Sequence, residues 1–266
     1  MKTKFLIGAF ALLSTVSFAK YEPYNFNMLG LSIYKGHNQP DAFGAAGRDS
    51  YLEVEGANRY KLLDLYWFLD RNDIFKDPKS SKYNNSETVF VKINPRISID
   101  GLINKDLSIG PINEWFLSYT YKGTNGNHGR LDYHYVGLGV DLNVPKMDFF
   151  KANLYSKYNN KNFGAHENQW DGYTVAISYG ATIHDFQNGF KLTFGGWGDY
   201  DFDLKTSERG ENAKKTALAL NNQVRLSYNN FGVSYTYQIN DNFTGRNQAN
   251  SDENNHSYGV HYTINF

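Results

Sequence analysis

The sequence predicts an all-β fold, a twelve-stranded antiparallel transmembrane β-barrel of the bacterial outer membrane. Three observations predict it: an export signal at the N-terminus, twelve segments in which apolar and polar residues alternate, and connections that are long and short in turn. Alternation at every second residue is typical of strands with one apolar and one polar face. In a membrane barrel the apolar face contacts lipid and the polar face lines the lumen.

The first 19 residues have the composition of a cleaved signal peptide. Two lysines precede an apolar run over residues 5–16, and Ser17 and Ala19 supply small side chains near a cleavage site. The run is too short to cross a bilayer core of about 30 Å. We therefore assign residues 1–19 to export and residues 20–266 to a single barrel domain.

Composition excludes several other classes of protein. The chain has no Cys, so disulfides do not stabilise it, and its formal net charge of zero gives no overall attraction for nucleic acid. No apolar stretch after residue 19 is long enough for a membrane helix. The seven His form no zinc-binding H-E-x-x-H pattern, and nothing implies a metal or another cofactor.

Each predicted strand is a segment in which every second residue is Leu, Val, Ile or aromatic. The residues between them, of the other parity, are mostly small or polar. Small and polar residues suit a water-filled or ligand-lined lumen better than a close-packed core. The twelve outward-facing sets fall within residues 29–33, 52–54, 63–69, 89–99, 115–121, 136–142, 150–154, 173–179, 190–194, 224–228, 231–239 and 258–266.

The segment "VFVKINPRISID" at 89–100 shows the pattern and one exception to it. Val89, Val91, Ile93, Ile97 and Ile99 share the face predicted to contact lipid, and the residues between them face the lumen. The proline at position 95 cannot donate a hydrogen bond to a neighbouring strand. The sequence therefore predicts a bulge or an early strand end there.

Connections between the segments alternate in length. Long polar links run over about 36–48 and 70–87, and a tight turn is predicted near Ala57 to Arg59. Outer-membrane barrels have short periplasmic turns and long extracellular loops. An even strand number places both termini at the periplasmic end, where "DGLINKDLSIGP" at 100–111 is unusually long for a turn. The alternating last strand ends at the aromatic Phe266, as outer-membrane proteins often do.

Four blocks resemble a known family in the same order. They are "YLEVEG" at 51–56, "NPRISIDGLINKDLSIGPINEWF" at 94–116, "VGLGVDLNVP" at 136–145 and "NFGAHENQWDGY" at 162–173. The chain is similar here to the nucleoside-specific channels of the outer membrane, the Tsx and OmpK group. The resemblance implies a twelve-stranded barrel and passive uptake of nucleosides through a narrow pore. The final quarter matches mainly in its barrel pattern.

Two aromatic residues match positions of the family that the resemblance identifies. Phe43, followed by Gly before the YLE block, and Phe163, which stands where the family has Tyr in "NYGA", occupy positions that line the family's pore. The Phe at 163 keeps a stacking surface and lacks a hydroxyl, and the following loop is about a residue shorter than in the family. The alternative is that both rings simply pack inside a loop.

A nucleoside pore needs aromatic faces for the base and polar groups for base edges and ribose hydroxyls. Residues of lumen parity supply both kinds of group. Alternatively, the charged ones form a salt-bridged plug that stiffens the barrel. The remaining candidates for substrate contact in the lumen are Tyr51, Glu53, Glu55, Tyr66, Lys92, Arg96, Glu114, Tyr155 and Lys157.

Other functions stay open at this point. Asp199, Asp201 and Asp203 repeat at spacing two, which we interpret as a wet rim because the calcium-loop pattern is absent. His134 and Ser156 share outward parity, as the catalytic pair of outer-membrane phospholipase does, but no acidic residue obviously orients the histidine. A general porin, or a barrel whose long loops bind phage or other extracellular ligands, is the nearer alternative.

Overall fold

The computed structural model describes residues 20–40, 46–76, 88–125, 130–207, 213–241 and 254–266. In this part of the chain, twelve antiparallel strands close into one barrel, and β12 completes it by pairing with β1. The strands are β1 Asn25–Pro40, β2 Ala46–Tyr60, β3 Leu63–Arg71, β4 Val89–Ser98, β5 Ile112–Thr124, β6 Leu131–Leu142, β7 Phe149–Asn162, β8 Gln169–Asp185, β9 Phe190–Phe202, β10 Ala217–Tyr228, β11 Phe231–Asp241 and β12 Asn254–Asn265. The predicted fold class is confirmed, whereas the predicted signal peptide and Phe43 lie outside the described residues.

The outer surface of the barrel is apolar and the inner surface is polar. On β1, Leu31 and Ile33 are each 46% exposed, whereas Ser32 between them is 2% exposed. On β4, Ile97 is outward and its neighbour Arg96 is buried inside the lumen. The inverted pattern that the alternation predicts is therefore present on both strands.

Outward-facing aromatic side chains cluster near the strand ends, as in the aromatic girdles of outer-membrane barrels. At the end that carries both termini they include Tyr60, Phe190, Tyr228, Phe231 and Phe266. At the opposite end they include Trp170, Tyr173 and Tyr200.

Connection lengths define the two ends of the barrel. Two-residue turns at 61–62 and 229–230 lie at the end with both termini, and longer connections such as 72–88 and 203–216 lie at the other. We name these the periplasmic and extracellular ends, following outer-membrane barrels. The predicted tight turn near Ala57 to Arg59 falls later, because Arg59 still pairs with its neighbours inside β2.

The prediction of a bulge or strand end at Pro95 is wrong. Strand β4 continues to Ser98, and its register with β5 is the same before and after the proline. The Asn94 side chain supplies the missing donor: its Nδ2 donates to the carbonyl oxygen of Tyr119 at 2.8 Å. A side-chain amide therefore replaces the backbone N–H that proline lacks.

Asn94→Ala is expected to lower the free energy of unfolding by about 1–3 kcal/mol, because it leaves the Tyr119 carbonyl without its donor. In a Pro95→Ala background the backbone N–H is restored, so the same substitution should cost clearly less. Urea unfolding of the wild type, both single variants and the double variant measures this difference. An equal cost in both backgrounds would contradict the role assigned to Asn94.

Ile99, predicted to face lipid from a strand, instead begins the short helix α1 Ile99–Ile103. The helix starts here because the Ser98 hydroxyl accepts a hydrogen bond from the Gly101 N–H at 2.9 Å, as a helix N-cap does. It ends at Asn104, which adopts the left-handed conformation. No helix in the described part of the chain is long and apolar enough to cross a membrane.

Candidate functional site

The barrel encloses a cavity of about 990 Å³, lined mainly by residues of the inward-facing parity from β1 to β11. Two groups of side chains give the cavity its chemistry. We call the first the acidic wall: Tyr34, Tyr51, Glu53, Glu55 and Tyr66, all on β1 to β3. We call the second the lysine bridge: Lys92, Lys122, Trp197 and Asp199, on β4, β5 and β9.

The acidic wall places two stacked rings beside two carboxylates. Tyr34 and Tyr51 are register partners on neighbouring strands, and their ring centroids are 4.7 Å apart with planes 19° from parallel. The Tyr34 hydroxyl donates to Glu53 at 3.3 Å, and Tyr66 donates to Glu55 at the same distance. Aromatic faces and hydrogen-bond acceptors are therefore side by side on one surface.

The lysine bridge crosses the lumen. Strand β9 is five strands further around the barrel than β4, yet the Lys92 ammonium lies 5.1 Å from the centre of the Trp197 ring. Lys92 Nζ is also 3.8 Å from the carboxylate of Asp199, to which Lys122 donates at 2.7 Å. Side chains from nearly opposite strands therefore meet, which narrows the passage between the two ends of the barrel.

The extracellular entrance carries a cluster of apolar and aromatic side chains. Phe163 packs there with Leu131, Tyr133, Tyr135 and Tyr155. Phe163 adopts a positive φ of 51°, uncommon for a residue other than glycine, and its side chain lines the cavity. The loop that follows β7 therefore turns this ring inward.

The carboxylate of Glu167 holds this loop in place, because its Oε1 accepts hydrogen bonds from the N–H groups of Asn162 and Gly164, both at 2.9 Å. Burial alone would raise the pKa of Glu167, but these two N–H groups and the Lys161 ammonium lower it below its ordinary value. A lowered folded-state pKa means that the carboxylate stabilises the loop above the unfolded pKa. This stabilisation is lost as pH falls through the folded-state pKa.

We expect the amide proton shifts of Asn162 and Gly164 to titrate with a midpoint below about 4.3, the ordinary value for Glu. Nuclear magnetic resonance in detergent measures both shifts. Glu167→Gln, which keeps the size but has no charge to lose, should remove the transition. A midpoint at or above the ordinary value would contradict the assignment.

The periplasmic half of the lumen contains a network of buried charges. The Phe116 ring is completely buried and contacts two guanidinium groups. That of Arg96 lies 3.8 Å from the ring centre, and that of Arg59 lies 5.1 Å from it. Arg59 donates to Glu114 at 2.5 Å. Arg96 lies 3.1 Å from Asp64, and a lysine on β7 also bonds to that carboxylate. This arrangement matches the stiffening plug that was the alternative for the charged residues.

Tyr24 lies at the periplasmic mouth of the cavity, before β1 begins. The Arg59 guanidinium is 5.0 Å from the centre of its ring. Burial, and then the carboxylate of Asp141, raise the pKa of Tyr24 to about 12. The hydroxyl at this end of the pore is therefore protonated at neutral pH.

The predicted site residues divide into two groups by position. Most line the cavity: Tyr51, Glu53, Glu55, Tyr66, Lys92, Arg96, Tyr155 and Phe163. Two others lie in buried ion pairs behind its surface. Glu114 is paired with Arg59, and Lys157, only 1% exposed, donates to Asp201 at 2.6 Å.

Sequence reasoning missed Trp197 and Lys122, and it misplaced two carboxylates. Asp199 and Asp201 are buried in lumen ion pairs and do not form a wet rim, whereas Asp203 is exposed beside Lys205. The signal was present: Phe194 faces outward, so residues 197, 199 and 201 have inward parity. In the described residues, no group of three or more His, Asp or Glu is arranged to hold a metal ion.

His134 does have an acidic neighbour, which corrects the prediction that none stands beside it. Its Nε2 lies 3.1 Å from Asp132, and its Nδ1 is hydrogen-bonded to the Tyr119 hydroxyl at 2.7 Å. Both ring nitrogens are thus engaged, and neither is directed at Ser156, which pairs with Val136. A serine nucleophile needs a free ring nitrogen of its histidine, so this geometry does not form a catalytic triad.

Comparison with known proteins gives one family and several relatives. The family described as "Nucleoside-specific channel-forming protein, Tsx" matches residues 31–266. The nucleoside-specific channel-forming protein Tsx of Escherichia coli O157:H7 is 35% identical over 170 residues, which is 62% of this chain and 58% of that protein. Outer membrane protein OmpK of Vibrio parahaemolyticus is 30% identical over 185 residues, 70% of this chain and 65% of that protein.

The chain thus spans less than two thirds of the length of either relative. Among solved structures, the NanC porin superimposes with a TM-score of 0.51 at 13% identity, covering 88% of this chain and 100% of that one. At that identity the likeness shows the barrel fold alone. The family match extends over nearly all of the barrel, and the family is described as channel-forming. The chain therefore belongs to the Tsx family of nucleoside-specific channel-forming proteins.

Proposed function

We propose that this barrel is a substrate-selective channel for passive uptake of nucleosides across the outer membrane. The observation that carries the proposal is the juxtaposition of the acidic wall and the lysine bridge on one narrow cavity. Cavities of roughly 300–1,000 Å³ hold ligands of drug size, and their few polar groups fix orientation. A nucleoside, with a planar base and a ribose rich in hydroxyls, has this size and chemistry. The relatives named as nucleoside-specific channels support it.

The aromatic rings that are only partly buried are the most accessible to a solute. Tyr51, Tyr66 and Trp197 all line the cavity and keep intermediate exposure. We assign them contacts with the base, because stacking on an aromatic face tolerates different bases. Phe163, and Phe43 through its family context, would extend this aromatic surface toward the extracellular entrance.

The carboxylates of Glu53 and Glu55 are suited to accept hydrogen bonds from ribose hydroxyls, since each already accepts from a tyrosine hydroxyl. Lys92, two strands along the wall from Glu55, presents a donor, and Asp199 on β9 presents an acceptor from the far side of the lumen. Binding at such a site has to stay weak enough for the solute to leave, as in any conducting pore. Arg96, Glu114, Tyr155 and Lys157 hold the walls in position through their buried bonds.

Two further expectations belong to this proposal. We propose that residues 1–19 direct export and are removed, leaving residues 20–266 in the outer membrane. The long extracellular connections, such as 72–88 and 242–253, are where phage or other extracellular ligands would bind if the barrel also serves as a receptor.

Single-channel recording in planar lipid bilayers tests the function. Adenosine or uridine is expected to lower the potassium current in a saturable way as it occupies the lumen, and ribose at the same concentration should do so far less. A current that adenosine, uridine and ribose reduce equally would contradict selectivity and favour a general porin.

A further inference from the structure

The connection between β4 and β5, residues 99–111, is built far more elaborately than the other periplasmic turns. We call it the α1 loop. Besides the Ser98 cap, the carboxylate of Asp100 holds it at two points, accepting from Leu107 N at 2.8 Å and from Trp115 N at 3.0 Å. Asp100 is 1% exposed. The loop is therefore a fixed structure, and none of its residues lines the cavity.

Three contacts place the second half of the α1 loop on the outer side of the barrel. Trp115 alternates with the inward Glu114 and so faces outward, and its indole Nε1 donates to the Leu107 carbonyl at 3.2 Å. A register shift after Ile112 sets this residue opposite Leu142, which has outward parity. Ile109 forms a bridge with Ile112, and directly opposed residues share a face.

The α1 loop also exposes large apolar side chains. Leu102 is 55% exposed, Ile103 49% and Ile109 67%. Ile109, in the second half of the loop, adjoins the outward apolar surface of the strands on either side, where Ile97 is 43% and Leu117 50% exposed. Apolar surface of this kind in water is unfavourable, whereas at a bilayer edge it is removed from water.

We propose that the α1 loop is an interfacial anchor that inserts Leu102, Ile103 and Ile109 among the phospholipid headgroups of the periplasmic leaflet. The occupant of this surface is lipid because the second half of the loop, with Ile109, adjoins the lipid-facing belt of β4 and β5. Trp115, hydrogen-bonded to the loop, lies where tryptophans of membrane proteins concentrate, at the bilayer interface. Interfacial segments of this type bury their apolar face about 5–10 Å into the headgroup and acyl boundary.

Because the sequence contains no Cys, a single introduced cysteine is the only site that a thiol-reactive label can modify. Single-cysteine variants Leu102→Cys and Ile109→Cys would be labelled with a nitroxide and reconstituted in vesicles of phosphatidylethanolamine and phosphatidylglycerol. Collision with molecular oxygen and with a water-soluble nickel chelate then reports depth. Lys146→Cys, on the exposed β6–β7 turn, is the water reference, and Leu154→Cys, outward on β7, is the lipid reference.

We expect nickel accessibility at positions 102 and 109 to be several-fold lower than at 146, with oxygen accessibility between the values at 146 and 154. Nickel accessibility equal to that at 146 would overturn the proposal. Protection from both reagents together, with spectra that broaden at higher protein-to-lipid ratio, would also overturn it, because it would show that a second copy covers the loop. The lipid reference verifies insertion of the barrel in the same preparations.

Discussion

Replacing Arg96 by alanine is expected to destabilise the barrel by about 3–5 kcal/mol, the effect of breaking a buried ion pair by removing one partner. Arg96 is 1% exposed and bonds to Asp141 at 2.6 Å. Its guanidinium also stacks on the buried Phe116 ring. Asp64 keeps Lys151 at 2.7 Å after the substitution, so the loss falls mainly on Asp141, whose carboxylate loses its partner.

Urea unfolding in phospholipid vesicles, followed by tryptophan fluorescence, measures the free energy change. Arg130→Ala is the matched control, since Arg130 has a side chain 54% exposed and 3.8 Å from Asp132. An exposed pair of that kind contributes about 0–1 kcal/mol. If Arg96→Ala unfolded within the range of this control, the network in the periplasmic half would not be a stabilising plug.

Trp197→Ala is expected to weaken nucleoside binding in the lumen by about 1–3 kcal/mol, the range for loss of one base–aromatic stacking contact. Because about 1.4 kcal/mol corresponds to a factor of ten, the adenosine concentration that half-blocks the current should rise about 5- to 150-fold. The substitution also frees the Lys92 ammonium from its aromatic partner and widens the constriction. Ribose flux should therefore not fall.

Tyr200→Ala is the control for this experiment, because Tyr200 is an aromatic residue of the same strand, is 45% exposed and faces outward. Titration of the single-channel current with adenosine compares the two variants. The same half-blocking concentration for wild type, Trp197→Ala and Tyr200→Ala would show that the lysine bridge does not contact the base, even in a channel that discriminates in favour of nucleosides.

Parity along each strand makes the barrel predictable, because a period of two is enforced wherever one face meets lipid and the other meets the lumen. Parity alone identifies Tyr51, Glu53 and Lys92 as inward-facing residues. Strand β9 is harder to interpret, since Gly195, Gly196 and Gly198 dilute its pattern around Trp197. Extending the parity of Phe194 by three residues would have found this tryptophan.

The contacts across the lumen could not be predicted from parity. Which inward residue of β4 meets which residue of β9 depends on the stagger of all the strands between them, and the sequence does not state that stagger. The sequence also does not reveal where a side chain replaces a missing backbone donor, as Asn94 does beside Pro95. The proximity of Asp132 to His134, by contrast, could have been predicted, because residues two apart on one strand share a face.

Liposome swelling with the wild-type protein distinguishes a selective channel from a general one. Vesicles containing the purified barrel would be mixed with isosmotic uridine or adenosine, and in parallel with a sugar of similar size. A selective nucleoside channel predicts clearly faster swelling with both nucleosides than with the sugar. Rates that depend only on solute size, with the sugar entering as fast as the nucleosides, would contradict the proposed function and leave a general porin.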